Sequence, residues 1–271
     1  LLEQSFIHVP GIGEYRERKL WQAGFTDWET FRRRHPDGEW KDLVTSRLDR
    51  KRAARDLPAR EAWRLLTGFR GRTAYLDIET TGLSIGGRDD VTCIGLSDGA
   101  GVEVFVQGKN LSGFPRAIRK YELLVTYNGA CFDIPVLRTA FPEIDFRKFL
   151  HIDLRYPLHR LGLKGGLKGV ERKLGLSRAE AVQGVDGYMA VLLWQSHEKG
   201  HPNALETLVR YCLEDVVHLK PLAAHAYNHL SEALPIRVKP VTDIKPPKIP
   251  YGADYELVSE LKERTTGRGR W

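Results

Sequence analysis

From Thr73 onward the apolar pattern changes period, and that change restricts the fold more than any other feature of the 271-residue chain. Thr73–Asp77, Val91–Ser97 and Gly101–Val106 are strand-length runs separated by Gly/Asp-rich turns. Connections this short favour antiparallel hairpins. Leu123–Tyr127 and Phe149–Leu154 are a fourth and a fifth strand, with helices over Phe114–Lys120 and Ile134–Ala140. Antiparallel strands followed by strand–helix units imply an α/β sandwich on a mixed sheet. After Tyr156 the pattern is mostly helical, over Val170–Leu174, Gly187–Lys199 and Ala204–Glu232. Pro221 is expected to kink or divide the last of these. Residues 235–250 carry five prolines and read as an extended tail, not a packed element. Tyr255–Lys262 closes the chain as a short helix.

The first 70 residues are helical and basic. Val9-Pro10-Gly11-Ile12-Gly13 is a tight turn. Glu14–Ala23 then has helical spacing, with Tyr15, Leu20 and Trp21 expected inward. Gly24 suits the helix stop. Thr26-Asp27-Trp28-Glu29 has a capping-box pattern that opens another helix. Residues 38–69 read as amphipathic helices, broken at Pro58, with a basic run of Arg47, Arg50, Lys51, Arg52 and Arg55. That run serves equally as a solvated face or as a contact for a phosphate backbone. The Pro-Gly-Ile-Gly turn before a basic helix resembles a helix-hairpin-helix. In such a motif Gly11 and Gly13 let backbone N–H groups approach a phosphate, and Arg16 and Lys19 add charge. The competing reading is a turn that only joins two packed helices.

Composition narrows the class. The net charge is +7, and residues 1–72 hold 16 lysines and arginines against 11 acids, which points to a polyanionic partner such as nucleic acid. No apolar run reaches about 18 residues, so no membrane span is expected. Cys93, Cys131 and Cys212 are scattered, which argues against structural zinc and a disulfide framework. A reducing cytoplasmic setting follows. The opening Leu1-Leu2-Glu3-Gln4 has no signal-peptide pattern, although the chain does not begin with Met and a trimmed leader stays open.

The chemistry-bearing residues come in three groups. In Tyr75-Leu76-Asp77-Ile78-Glu79-Thr80-Thr81-Gly82-Leu83, strand alternation puts Tyr75, Asp77 and Glu79 on one side. Two carboxylates there repel, and a divalent cation would relieve the conflict. In Tyr127-Asn128-Gly129-Ala130-Cys131-Phe132-Asp133, a turn delivers Asp133 to a helix start. Tyr211 and Asp215, four apart on a helix, share a face. Singly, each group has a plain alternative: solvated strand-end acids, an N-cap, a surface Tyr–Asp pair.

Together, Asp-x-Glu-Thr-Thr-Gly, Asn-Gly-x-x-Phe-Asp and Tyr-x-x-x-Asp resemble the three motifs of the DEDD exonuclease superfamily, in its Tyr subclass. Leu167–Gly175 and Tyr211–Leu219 are similar to the predicted 3′–5′ exonucleases of the YprB type, over roughly residues 60–230. The resemblance implies an RNase H-like fold, a mixed five-stranded sheet flanked by helices and preceded by the helix-hairpin-helix-like region. It divides the chain into a helical region (1–70), an exonuclease domain (71–234) and a Pro-rich tail (235–271). It implies that Asp77, Glu79, Asp133 and Asp215 bind two divalent cations, Mg²⁺ or Mn²⁺, about 3.5–4 Å apart. Tyr211 would orient the attacking water, and Thr80, Thr81 and Gly82 would lie beside the terminal nucleotide. Asn128 would hold its loop or touch substrate, and Lys164 and Lys168 would grip phosphates or stay on the surface. Asp153 is a supporting acid, Glu214 points elsewhere, and His218 is expected to pack. The activity implied is phosphodiester hydrolysis of DNA or RNA from a 3′ end. A non-catalytic nucleic-acid-binding module and a structure-specific endonuclease on the same fold are the alternatives.

Overall fold

A computed structural model describes residues 1–34, 40–82, 90–182 and 187–267 of the chain. Its centre is a single sheet of β1 (Thr73–Thr80), β2 (Val91–Ser97), β3 (Val102–Val106), β4 (Leu123–Thr126) and β5 (Leu150–Asp153), in the order β3-β2-β1-β4-β5. The β1–β2 and β2–β3 pairs are antiparallel, while β1–β4 and β4–β5 are parallel. The short β1–β2–β3 connections allow only hairpins. The helix-containing β3–β4 and β4–β5 connections permit parallel return. This is the mixed five-stranded sheet flanked by helices that the sequence predicts, and a helical region precedes it.

Helices cover both faces. Ala74, Leu76 and Ile78 of β1 pack with Ile94 and Leu96 of β2 against α5 (Phe114–Ile118) and α6 (Asp133–Ala140). The opposite face meets α10 (Ala204–Glu232), with α9 (Gly187–Glu198) and α11 (Tyr255–Gly267) beyond it. Between β5 and α9 the chain adds α7 (Arg155–Arg160) and α8 (Leu167–Lys173). Pro221 lies inside α10 without dividing it, so of the two outcomes expected there the division does not occur. Leu222, Ala223, Ala224, Ala226 and Tyr227 beyond the proline are all buried. That continuous packing outweighs the roughly 3 kcal/mol a mid-helix proline costs. All three cysteines are free. Among the described residues no helix is long and apolar enough to cross a membrane.

The N-terminal region contains α1 (Glu14–Gln22), α2 (Trp28–Arg34), α3 (Trp40–Thr45), α4 (Arg50–Asp56) and a 3-10 helix, Ala59–Leu65. Tyr15, expected inward, is 73% exposed. The inward face of α1 is instead Glu17 and Trp21, one helical turn apart. Asp27, not Thr26, caps α2, accepting the Thr30 amide at 2.7 Å. Phe6, Trp21, Trp28, Phe31 and Trp63 belong to the same buried cluster as Tyr75, Val125, Val216 and Tyr227. The helical region therefore shares a core with the sheet. Residues 235–250 form no helix or strand, yet they are packed. Asn228 fixes Val241 through both its backbone groups, at 2.8 and 2.9 Å, and Lys220 Nζ donates to Lys245 O at 3.1 Å. Ile236, Val238 and Val241 lean on the core. Prolines prevent a regular element, but they leave side chains free to pack.

One glycine sets the distance between α10 and the sheet. A Cβ at Gly95 of β2 would lie 2.6 Å from Val216 Cγ2 and 3.0 Å from Cys212 Sγ. Gly95→Ala is expected to cost about 1–3 kcal/mol by overpacking. Urea denaturation should show a lower midpoint with an unchanged slope.

Candidate active site

Asp77 and Glu79 project from β1 toward α10, as alternation requires. At this point the β1–β2 register shifts, between Glu79 paired with Cys93 and Thr80 paired with Val91. Such an irregularity bends the strand and re-aims its side chains. From α10, Tyr211 and Asp215 share one face, and both are buried. Among the described residues, the ligand atoms of Asp77, Glu79 and Cys212 lie within 4.8 Å of one another, a group that Asp133 and Asp215 do not join. The Cys212 thiol donates to the Asp77 carbonyl at 3.9 Å, and its pKa is raised by contact with Cys93 and by burial. It is therefore a neutral neighbour of the acids.

The third acid arrives on a braced turn. Asn128 adopts φ 65°, a left-handed conformation that Asn tolerates better than most residues. Asp153, at the end of β5, accepts the amides of Asn128 (2.7 Å), Ala130 (3.1 Å) and Arg155 (3.1 Å). Arg155 Nη1 in turn donates to Asn128 Oδ1 at 2.6 Å. A Cβ at Gly129 would meet Thr126 Oγ1 at 2.3 Å, so only glycine fits there. The turn thus delivers Asp133 as the first residue of α6, where it is 3% exposed. Asn128 and Asp153 thus both brace this loop.

These acids raise one another's pKa. Burial, then Asp215, Asp133 and Glu79, push Asp77 well above the usual carboxylate range. Burial and Asp215 do the same to Glu79, with Lys168 pulling back. Asp133 is pushed up to about 7, chiefly by burial. Asp215 is also raised by burial, against the opposing pull of Arg178 and Lys168. Burial next to Asp215, Glu79 and Asp77 keeps the Tyr211 phenol neutral. Such a set is costly without counter-charge. Asp133 Oδ1 is buried with no hydrogen-bond partner. Hard oxygen donors, mutual repulsion and an unsatisfied inward carboxylate oxygen fit a divalent cation.

Counter-charge inside the protein comes from Lys168 and from Arg178, which no sequence pattern singled out. Arg178, in the loop after α8, pairs with Asp215 and also with Glu171 of α8, at 2.7 Å from Nε and from Nη2. His218 Nδ1 meets Glu171 Oε1 at 2.9 Å. His218 is buried, as expected, and also joins a buried polar chain. Glu214 points away, as predicted, to Arg210 and the Ala179 amide. A loop arginine has no periodicity to betray it, and only its fold neighbours reveal the role.

The remaining predicted residues divide. Lys168 Nζ contacts the Tyr211 hydroxyl at 2.6 Å and lies 4.4 Å from its ring centre. Lys164 is exposed, and its carbonyl accepts from Lys173. Thr80 Oγ1 donates to Gly82 O at 2.7 Å, and Thr81 N to Asp90 O at 2.8 Å. Leu83 lies outside the described residues. At the N-terminus Gly11 has φ 83°, and Gly13 immediately precedes α1. Arg16 Nη1 donates to the Gly11 carbonyl at 2.6 Å, and Lys19 sits over the Tyr15 ring. A three-residue 3-10 helix, Leu2–Gln4, lies ahead of the turn.

The sheet order and the acids toward the C-terminal end of the central strand β1 define the RNase H-like nuclease fold. A sequence model of the RNase_H superfamily matches residues 74–227, more than half of the chain, and the chain belongs to that superfamily. Among solved structures, the family B DNA polymerase from the hyperthermophilic archaeon Pyrobaculum calidifontis is similar at 21% identity and a TM-score of 0.42. That match covers 60% of this chain and 24% of the polymerase chain. No curated protein matches the sequence.

Proposed function

We propose that this protein is a metal-dependent 3′–5′ exonuclease acting on DNA or RNA, of the DEDD Tyr subclass and YprB-like. The observation that carries this reading is the electrostatic convergence of Asp77, Glu79, Asp133 and Asp215, with Tyr211, at one edge of an RNase H-like sheet. In this reading the four carboxylates hold two divalent cations, Mg²⁺ or Mn²⁺. When bound, the cations supply Lewis acidity and positive charge at the scissile phosphate. The neutral Tyr211 hydroxyl, steadied by Lys168, orients the attacking water. Arg178 holds the Asp215 carboxylate in place from the side of α8. Thr80, Thr81 and Gly82 border the space for the terminal nucleotide, and Lys164 is an exposed cation at its margin. Gly11, Gly13, Arg16 and Lys19 contact the strand further back. We also assign residues 1–70, 71–234 and 235–271 as helical region, nuclease domain and tail, with a cytoplasmic setting that suits the three free thiols.

The test is degradation of 5′-labelled DNA and RNA oligonucleotides with Mg²⁺, Mn²⁺ or EDTA. A metal-dependent ladder that shortens from the 3′ end is expected, and the productive substrate identifies the nucleic acid. Cleavage of circular or 3′-blocked strands would replace the exonuclease by an endonuclease. Binding without cleavage under every condition would leave a nucleic-acid-binding module.

A further inference from the structure

The basic run on α4 has a destination that the acid cluster does not explain. Lys51 and Arg55 of α4, Arg50 beside them, Arg72 ahead of β1 and Lys148 ahead of β5 line one cavity of about 300 Å³. Glu122 is the one acid lining it, and Arg72 pairs with that acid. The floor is apolar, made of Ala54, Phe69 and Leu150.

Pairing separates these cations into two sets. Arg50 is bound to Glu3 at 3.3 Å and to the Gly68 carbonyl, and it lies 5.7 Å from the Phe69 ring centre. Arg72 flanks the same ring at 5.9 Å. Outside the cavity, Arg47 and Arg52 share Asp56. Lys51, Arg55 and Lys148 are exposed and form no ion pair among the described residues. Lys51 and Arg55 are also four apart on one helix, where like charges repel. Arg50 and Arg72 are neutralised by their acids, so the positive field here is that of these three, concentrated by the apolar floor. A bound anion would relieve that repulsion.

The position is informative. Arg72, Glu122 and Leu150 lie at the starts of β1, β4 and β5, the end of the sheet opposite Glu79 and Asp153. At about 3.3 Å per residue, Asp77 and Glu79 lie about 17–23 Å from Arg72 along β1. That is about five to seven phosphates of a helical strand. We propose that Lys51, Arg55 and Lys148 form a second phosphate-backbone site that holds a nucleic-acid strand away from the acid cluster. The assignment rests on the nucleic-acid partner in the proposed function, and not on hydrolysis. Phosphodiesters match it because the cations are separate, exposed and backed by an apolar floor.

The experiment is fluorescence anisotropy of a labelled single-stranded 24-mer in EDTA, so that cleavage plays no part, across a range of KCl concentrations. The triple variant Lys51→Ala/Arg55→Ala/Lys148→Ala should bind at least tenfold more weakly at low salt. Its log K against log salt slope should be shallower by about 2, since three phosphates each contribute about 0.7. A control that removes the same charge elsewhere, Lys109→Ala/Arg116→Ala/Lys199→Ala, should change the slope far less. An unchanged slope in the first variant, or equal losses in both, overturns the proposal. Tripolyphosphate titrated in place of the oligonucleotide tests for a small-anion site. Saturable tripolyphosphate binding, lost in the first variant while 24-mer binding persists, would overturn the nucleic-acid assignment. A wild type that binds in this manner but never cleaves would sink the nuclease reading and leave this one standing.

Discussion

Asp77→Asn should abolish hydrolysis, by about a thousandfold or more, while making the metal-free protein harder to unfold. The two effects share a cause. Asp77 lies among Glu79, Asp133 and Asp215, and burial together with these neighbours raises its pKa well above that of a free carboxyl. An acid whose pKa is raised on folding subtracts nothing from stability below its unfolded pKa. It subtracts progressively more as pH rises through the folded value. The neutral Asn removes that cost, so the gain in EDTA should be absent near pH 3 and grow toward pH 8. Divalent cations reverse the order. A ligand that binds only the folded wild type stabilises it by about 2.7 kcal/mol at a concentration of about 100 Kd. The variant, short of one ligand, should gain far less. The rate loss follows from the same missing ligand, because most of the acceleration in such sites comes from stabilising the charge that develops in the transition state. Thermal melts of both proteins, in EDTA and in Mn²⁺ from pH 3 to 8, together with single-turnover cleavage, check all of this. A variant that melts below wild type in EDTA at neutral pH would contradict the electrostatic account.

The parts of this site that the sequence disclosed are those governed by local periodicity. Asp77 and Glu79 share a side because strands alternate, and Tyr211 and Asp215 share a face because a helix turns in 3.6 residues. The hairpin order of β1, β2 and β3 followed from short Gly/Asp turns, and the parallel partners from intervening helices. What stayed hidden depends on contacts between distant segments. Arg178 meets Asp215 from 37 positions away. Glu171 meets His218 across 47. Neither partner carries a pattern of its own. Tyr15 differs for the opposite reason: helical spacing turns this aromatic inward, whereas the buried face of α1 is organised by an acid. Residues 235–250 failed because proline content reports on backbone hydrogen bonding and not on whether side chains pack.

That acid on α1 supports the second large effect, a loss of about 3–5 kcal/mol for Glu17→Ala. Glu17 is 1% exposed. Its Oε1 accepts from Ser5 Oγ at 2.9 Å, from the Phe6 and Ile7 amides at 2.8 and 3.1 Å, and from Arg64 Nη1 at 2.9 Å. Its Oε2 takes the same arginine at 2.8 Å. Arg64 is itself 2% exposed, bound to Glu61 at 2.8 Å and placed over the rings of Trp21 and Trp63. Glu61 passes the connection on to Arg160 of α7 at 2.5 Å, inside the stretch matched by the RNase_H superfamily. Truncation strands two amides, a hydroxyl and half of a buried guanidinium in a place water does not reach, and each unsatisfied group carries its full desolvation penalty. Glu17→Gln, which keeps the shape and acceptor oxygen but loses the charge, should cost roughly half as much. Against a typical total of about 5–15 kcal/mol, the alanine variant should be close to unfolding at physiological temperature. Because Phe6, Trp21 and Trp63 share one core with Tyr75, Val216 and Tyr227, the loss should appear as one shifted transition. Urea titration followed by tryptophan fluorescence and by far-UV circular dichroism decides it. Coincident curves with a lowered midpoint are expected. Two separate transitions, with only the first shifted, would mean that the N-terminal helices fold as an independent unit and that the Glu61–Arg160 contact does not couple them to the sheet.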